Sequence, residues 1–427
     1  MWVFDLANSN AMPIKLTPPN LQPGDAFGTS VAIEAGGNWI AVGAPNSKVN
    51  GKENVGLVHV WKKLETIPDW DFVNTFAWDD LSVGSKLGST VAIGNDTLLA
   101  GAPFARLRIP SKLSNTRVPH SPTIEYQIVQ NHGIVATWMR DSDGNWNEDN
   151  ALQPDQNISN AQFGSALTLE GPQAIIGAKC ARASEQVHAG KAYIFQRRKS
   201  GWPNKPVVQI SQTGNKIFKG DNNTISGNGP SHHFGSSACI LANVAVVGTP
   251  GDSDGSLLKS GSINIYARGP LGWIPIQYIS GKVFDNSDEI LAEGELPIII
   301  DDRDINDEFG FTVGIAGANF IVGAPKKSVK DQAQAGAVYV FESMKKSSLP
   351  QSSFIDNFEE KFLIKLVQGQ PIANSLFGSG LACTSDNIAI SAPGKIGSSA
   401  KGQVYIFNRT EIASETSWGV PNTPKAE

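Results

Sequence analysis

The apolar residues of this chain fall into short runs separated by polar, glycine-bearing turns, and the same succession of runs returns six times. Each return opens on an aromatic residue or a leucine followed by glycine: Phe27-Gly28, Leu87-Gly88, Phe163-Gly164, Phe234-Gly235, Phe309-Gly310 and Phe377-Gly378. A small, mostly apolar run follows (TSVAI, STVAI, SALTL, SSACI, FTVGI, SGLAC), then a tight polar turn and a second apolar run. The second run ends on a glycine-small-proline triplet or a near copy of it: Gly43-Ala44-Pro45, Gly101-Ala102-Pro103, Gly177-Ala178-Lys179, Gly248-Thr249-Pro250, Gly323-Ala324-Pro325 and Ser391-Ala392-Pro393. The triplet begins 14 residues after the opening residue in five copies and 16 after it in the first, a constancy that chance does not supply.

A third run starts at Gly56, Gly133, Gly190, Gly261, Gly336 and Gly402, and its alternation is strict: Val338 and Val340 point one way, Tyr339 and Phe341 the other. A fourth, looser run precedes the next opening pair (FVNTF, VVQIS, IQYIS, LIKLV), several times with a tryptophan upstream (Trp70, Trp146, Trp202, Trp273). Four strands per unit, recurring every 60 to 76 residues, predict an all-β chain of four-stranded antiparallel propeller blades. Six repeats, starting near 27, 87, 163, 234, 309 and 377, form a single β-propeller domain over residues 1–427. The last copy supplies only three strands, ending at Val404–Phe407, so residues 1–24 are expected to close the ring, with Pro13–Thr17 as the outer strand of the sixth blade. Residues 410–427 then read as a loose tail, and Trp2-Val3-Phe4 keeps a partial seventh blade open.

The motif residues have structural duties under this reading. The glycine of the triplet relieves a close backbone approach, and the proline removes a ladder donor where the strand stops. The aromatic before the opening glycine belongs between adjacent blades, where its area holds one sheet against the next. The composition agrees: 43 glycines, 25 prolines and only 18% charged residues suit short strands and many turns.

The paired Phe-Gly and Gly-Ala-Pro elements resemble the FG-GAP repeats of integrin α-subunit propellers and related surface proteins, from about Asp25 to Phe407. The resemblance implies an extracellular or cell-surface, integrin-like setting and a binding role. Several blades of that family carry a calcium loop between the first two strands. Here those connections are EAGGN, GND, EGP, LAN, AGAN and SDN, which lack the row of oxygen ligands calcium requires, so the chain resembles the calcium-free variety and no metal is expected. The stretches Asp141–Asn145 and Asp252-Ser253-Asp254-Gly255 read as ordinary turns.

The remaining chemistry is sparse. A net charge of −5 argues against a general nucleic-acid binder, and no run approaches a membrane span. The opening MWVFDLANSN has neither the basic end nor the apolar stretch of a signal peptide, and it reads as if already inside a strand. Three cysteines make no disulfide framework; Cys239 and Cys383 read as buried free thiols, while Cys180 is open. None of the six histidines has the spacing of a zinc pair, and His232-His233 reads as a loop cap. No nucleophile elbow, phosphate loop, dinucleotide fingerprint or catalytic cysteine signature is present, so neither an enzyme nor a cofactor is expected. Sequons at Asn95, Asn157, Asn222 and Asn408 are permissive of glycosylation.

A partner surface is expected where the long loops gather, between second and third strands and between successive copies. There Arg106, Arg108, Lys112 and Arg117 make a basic loop, and Asp301, Asp302, Asp304, Asp307 and Glu308 an acidic one. The expected function is a monomeric, non-catalytic module binding a protein or glycan partner. The alternatives are the accessory propeller of a larger hydrolase and an architectural spacer.

Overall fold

Each run of the repeat becomes one strand, and each copy closes into a four-stranded antiparallel sheet. The computed structural model describes residues 1–6, 11–65, 69–94, 96–110, 126–183, 187–210, 231–254, 256–269, 272–281, 283–285, 298–300, 302–345, 358–398, 400–412 and 415–418. Among these there is no helix, and the six sheets are the blades of a β-propeller. Blade 1 is Val31–Ile33, Trp39–Ala44, Leu57–Lys63 and Trp70–Phe76; blade 2 is Thr90–Ile93, Thr97–Ala102, Ile134–Arg140 and Trp146–Glu148. Blade 3 is Phe163–Glu170, Gln173–Ala178, Lys191–Gln196 and Val208–Ile210; blade 4 is Ser237–Leu241, Val244–Thr249, Ser262–Gly269 and Gly272–Ile279. Blade 5 is Thr312–Ala316, Asn319–Ala324, Ala337–Lys345 and Phe358–Leu366; blade 6 is Gly380–Cys383, Asn387–Ala392, Gln403–Ile412 and Glu415–Trp418. The chain divides into two compact units, Met1–Arg182 with Tyr193–Ile210, and Ala183–Ala192 with Ser211–Glu427.

The backbone explains the constant spacing of the motif. The opening glycine donates its N–H to the carbonyl of the first triplet residue of its own copy, at 3.0 Å for Gly28 to Gly43, Gly88 to Gly101 and Gly378 to Ser391. The six opening glycines have φ between 83° and 94°, a region that side chains disfavour. The residue two places after the opening glycine then lies opposite the triplet glycine, as in Thr90↔Gly101, Ser237↔Gly248 and Thr312↔Gly323.

That cross-strand pair receives the next blade. Ser30 Oγ donates to the Gly88 carbonyl at 2.7 Å, Thr90 Oγ1 to Gly164 at 2.8 Å, Ser237 Oγ to Gly310 at 2.8 Å and Thr312 Oγ1 to Gly378 at 2.7 Å. A Cβ on Gly43 would fall 1.9 Å from the same Gly88 oxygen, so the small residue opposite the hydroxyl is obligatory. Copies 3 and 6 carry Ala166 and Gly380 at the hydroxyl position.

The opening aromatic stands where it was expected in four copies. Phe163, Phe234, Phe309 and Phe377 are at most 2% exposed, whereas Phe27 is half-buried. The Phe309 ring meets Tyr339 and Phe341 edge-on at centroid distances of 5.4 and 6.1 Å, and its carbonyl closes on Gly261 of the preceding blade. The third strand of blade 5 feeds two cores: Tyr339 and Phe341 pack with Phe309, Val246 and Ile263, while Val338 and Val340 pack with Phe377, Ile388 and Ile390.

Two expectations need correction. The fourth strand of blade 6 is not Pro13–Thr17 but Glu415–Trp418, which pairs in register Arg409↔Trp418 to Ile412↔Glu415 within the expected loose tail. Ile14–Lys15 pairs instead with Trp2–Val3 as a separate two-stranded sheet, because Val3, Ile14 and the 3%-exposed Leu16 find their apolar partners on Ile40, Val42 and Trp61 of blade 1. Two of the thiols also differ from expectation: Cys239 and Cys383 are half-buried, while Cys180, left open by the sequence, is buried, and none of the three is in a disulfide.

Candidate interaction site

The connection between the second and third strands of blade 2 rises into a hairpin ribbon, Leu107–Pro110 paired with Tyr126–Val129. Its register sets Arg108 opposite Ile128 and Leu107 opposite Val129, so the period of two separates its faces. One face turns inward: Val129 is 4% exposed, and Leu107 and Ile109 are half-buried. The other presents Tyr126 and Ile128, 52% and 49% exposed, beside the exposed Arg106 and Arg108. Lys86 adds a third cation at the foot of the ribbon, with its ammonium 5.5 Å from the Phe104 ring centroid. Lys112 and Arg117 lie outside the described residues.

The acidic loop is organised differently, since its carboxylates face their own blade. Lys327, 2% exposed, directs its ammonium at Asp304 (2.6 Å), Asp307 (3.2 Å) and Asp302 (3.5 Å), and it also donates to the Asp302 carbonyl. Asp302 accepts from Tyr339 at 2.7 Å and from Lys365 at 2.5 Å, and Lys326 pairs with Glu308 at 2.8 Å. Burial alone would raise the Asp302 carboxyl, but the Lys365 and Tyr339 hydrogen bonds override it and hold it below the usual carboxylate range. Asp307 is pushed up to about 6 by burial, which Lys327 only partly offsets. These groups hold a loop to its sheet. Asp301 lies outside the described residues.

The turn sequences divide likewise. Asp141 behaves as expected, with Oδ1 accepting from the backbone of Asp143 and Asn145 at 3.0 and 2.9 Å. Asp252 does not: it is 2% exposed and accepts from Ser262 (2.6 Å) and Tyr278 (2.9 Å), with His232 Nδ1 at 3.1 Å. A serine, a histidine and an aspartate thus meet, but the carboxylate is the hub and Ser262 donates to it. A hydrolytic triad needs the imidazole between the other two to take the serine proton. Burial lowers the His232 pKa against the pull of Asp252. His232 is therefore part of a buried network, where the sequence suggested a loop cap.

Tyr126, Ile128 and Lys86 were not singled out from sequence. A signal existed, since LRIP and YQIV each alternate, but they lie within a long loop and fall outside the four-strand repeat.

A family model described as FG-GAP repeat matches residues 14–61 and 297–341. No curated protein matches the chain. Among solved structures, a candidate 6-phosphogluconolactonase from Bacteroides uniformis is 8% identical, with a TM-score of 0.48 over 92% of this chain and 83% of that one. A second protein so described, from Bacteroides fragilis, is 9% identical with the same TM-score, over 92% and 82% of the two chains. The two matched segments carry the Phe27-Gly28 to Gly43-Ala44-Pro45 and Phe309-Gly310 to Gly323-Ala324-Pro325 elements, and six blades repeat that frame. The chain is a six-bladed β-propeller in which the FG-GAP repeat is matched at two places.

Proposed function

We propose that this chain is a non-catalytic interaction module that takes a protein partner on the outer face of the blade 2 ribbon. The carrying observation is the set of side chains there: Tyr126 and Ile128 exposed beside Arg106 and Arg108 on one face. Tyrosine and arginine are enriched among residues that dominate protein interfaces, and exposed apolar side chains grouped with cations favour a partner segment that alternates apolar and acidic residues. Lys112 and Arg117, on the same connection, extend the basic character in sequence. The acidic loop contributes less to this reading, because Asp302 and Asp304 are engaged by Lys327 and Lys365.

The test is a peptide-display selection on the full chain, counter-selected on an Arg106→Glu/Arg108→Glu/Tyr126→Ala variant. Selected peptides are expected to pair acidic with apolar residues, and to lose affinity as salt screens the arginines. Peptides that bind wild type and variant alike would remove the ribbon from consideration. An extracellular or cell-surface setting belongs to the same proposal. Asn157 and Asn408 are exposed, and their occupancy in protein secreted from a eukaryotic host would agree with it.

A further inference from the structure

At the other end of blade 2 the third strand finishes on Arg140, beside the turn of blade 1 between Ile33 and Trp39. A cleft of about 550 Å³ opens there, in the size range of small-ligand sites. One wall is cationic, formed by the exposed Lys62 and Lys63 and by Arg140. Arg140 is held in place: its guanidinium carbon lies 4.5 Å from the Trp39 ring centroid and 5.8 Å from that of Trp146. Trp39 is itself 5% exposed and meets Trp146 edge-on at 5.6 Å. Glu34, Asn38 and Glu65 also line the cleft.

Glu34 is the decisive group. Its side chain belongs to a residue only 7% exposed, it lines the cleft, and its Oε2 has no hydrogen-bond partner. A carboxylate withdrawn from water without a donor is costly, and a ligand that supplies a donor removes that cost. Inorganic anions satisfy the lysines and the arginine but offer Glu34 nothing. A neutral sugar satisfies Glu34 but leaves the cationic wall unused.

We propose that this cleft binds an acidic saccharide of one or two rings. The Glu34 side chain turns its buried Oε2 toward the cleft to accept from a ring hydroxyl, and a carboxylate or sulfate accepts from Lys62, Lys63 and Arg140. Asn38 supplies a side-chain amide to a neighbouring hydroxyl. The proposal is independent of the ribbon, which leaves blade 2 at the opposite end of the same strands: Ile134 pairs with Ala102 there, and Met139 with Thr97 at the cleft end.

Calorimetric titration of the full chain at low salt tests it, with glucuronic acid, a sulfated chondroitin disaccharide, glucose and inorganic sulfate as probes. The two acidic sugars are expected to bind about tenfold or more tightly than glucose or sulfate. Lys62→Met/Lys63→Met, at exposed positions that leave the fold intact, is expected to weaken the acidic sugars about tenfold while leaving glucose unchanged. Glu34→Ala is expected to weaken the sugars and leave sulfate unchanged or tighter, with Glu34→Gln, which keeps an acceptor, restoring most of the loss. Equal binding of acidic and neutral sugars overturns the proposal. So does a uniform gain for every anion in Glu34→Ala, which would mark a plain cationic patch. A chondroitin hexasaccharide binding far more tightly than the disaccharide supports the proposal and places the sugar within a longer chain; equal affinity supports it with a free small sugar.

Discussion

The residue four places after the triplet glycine takes opposite charges in two consecutive blades, Asp252 in blade 4 and Lys327 in blade 5, and both are 2% exposed. In blade 1 the same position is Ser47, and in blades 2 and 3 it is Ala105 and Ala181, all buried. The position is thus buried in the first five copies, with its polarity left to local supply, while its counterpart in blade 6, Lys395, is exposed. Blade 4 meets its carboxylate with two donating hydroxyls, Ser262 and Tyr278, with the His232 imidazole 3.1 Å away. Blade 5 meets its ammonium with three aspartates drawn from the preceding loop. The first solution spreads one charge over neutral donors. The second sets one cation among several anions and uses the loop as the counterion.

The two solutions should fail differently. Lys327→Met removes the only cation that touches Asp304 and Asp307 among the described contacts, and is expected to destabilise the fold by about 3–5 kcal/mol, read from denaturant midpoints. A loss below about 1 kcal/mol would mean that the loop detaches without consequence, and the comparison between the blades would fall.

Acid sharpens it next. Blade 1 has His59 where blade 5 has Tyr339, three residues into the third run, and burial moves both toward their neutral forms. The Tyr339 hydroxyl is raised well above its ordinary value, and His59 is pushed down to about 4. Unfolded histidine takes its proton near its ordinary value of 6.5, so between 6.5 and 4 the unfolded chain binds more protons. The stability that His59 contributes is complete above that window and falls as pH drops through it, by up to about 3 kcal/mol. His232 acts with the same sign, its pKa also lowered first by burial. Asp307, raised to about 6, acts with the opposite sign: the folded state holds its proton more tightly, so acidification between 6 and the ordinary aspartate value of 3.8 favours folding there. Denaturation at pH 7.5 and 4.5 in wild type and His59→Phe reads the difference. An unchanged acid loss in the variant would assign the effect elsewhere.

Asp252→Asn is expected to cost less than the lysine substitution, about 1–3 kcal/mol, since Asn retains one acceptor for Ser262 or Tyr278. A loss larger than that of Lys327→Met would reverse the ranking of the two solutions. The smallest effect belongs to the inter-blade hydroxyls: Thr312→Val keeps the shape and should cost about 1 kcal/mol by leaving the Gly378 carbonyl one donor short.

The frame was legible from the sequence because it rests on backbone geometry that few residues tolerate. Glycines at positive φ and small residues under a neighbour's carbonyl leave marks that recur from copy to copy, as Gly88 and Gly101 do. The polar networks left no such mark, since Asp252 and Lys327 differ in type and recruit partners from outside the motif. The sixth blade's last strand escaped notice because Glu415–Trp418, with the sequence ETSW, lacks the apolar pattern of the other fourth strands. Of the candidate surface, the arginines were visible as a charge cluster. Tyr126 and Ile128 became part of it only when the register set Ile128 across from Arg108.

The first copy is two residues longer than the others between its opening glycine and its triplet, yet Ser30 and Gly43 still face each other, with the Gly43 N–H bonded to the Ser30 carbonyl at 2.9 Å. The added length is confined to the turn beyond the Ile33↔Ile40 pair, and an even number of added residues preserves which side chains face which sheet surface. That turn holds Gly36 and Asn38, which line the cleft beside Glu34. A repeat array can thus individualise one of its members by lengthening a single hairpin in steps of two, gaining a recess while every neighbouring blade continues to dock on an unaltered frame.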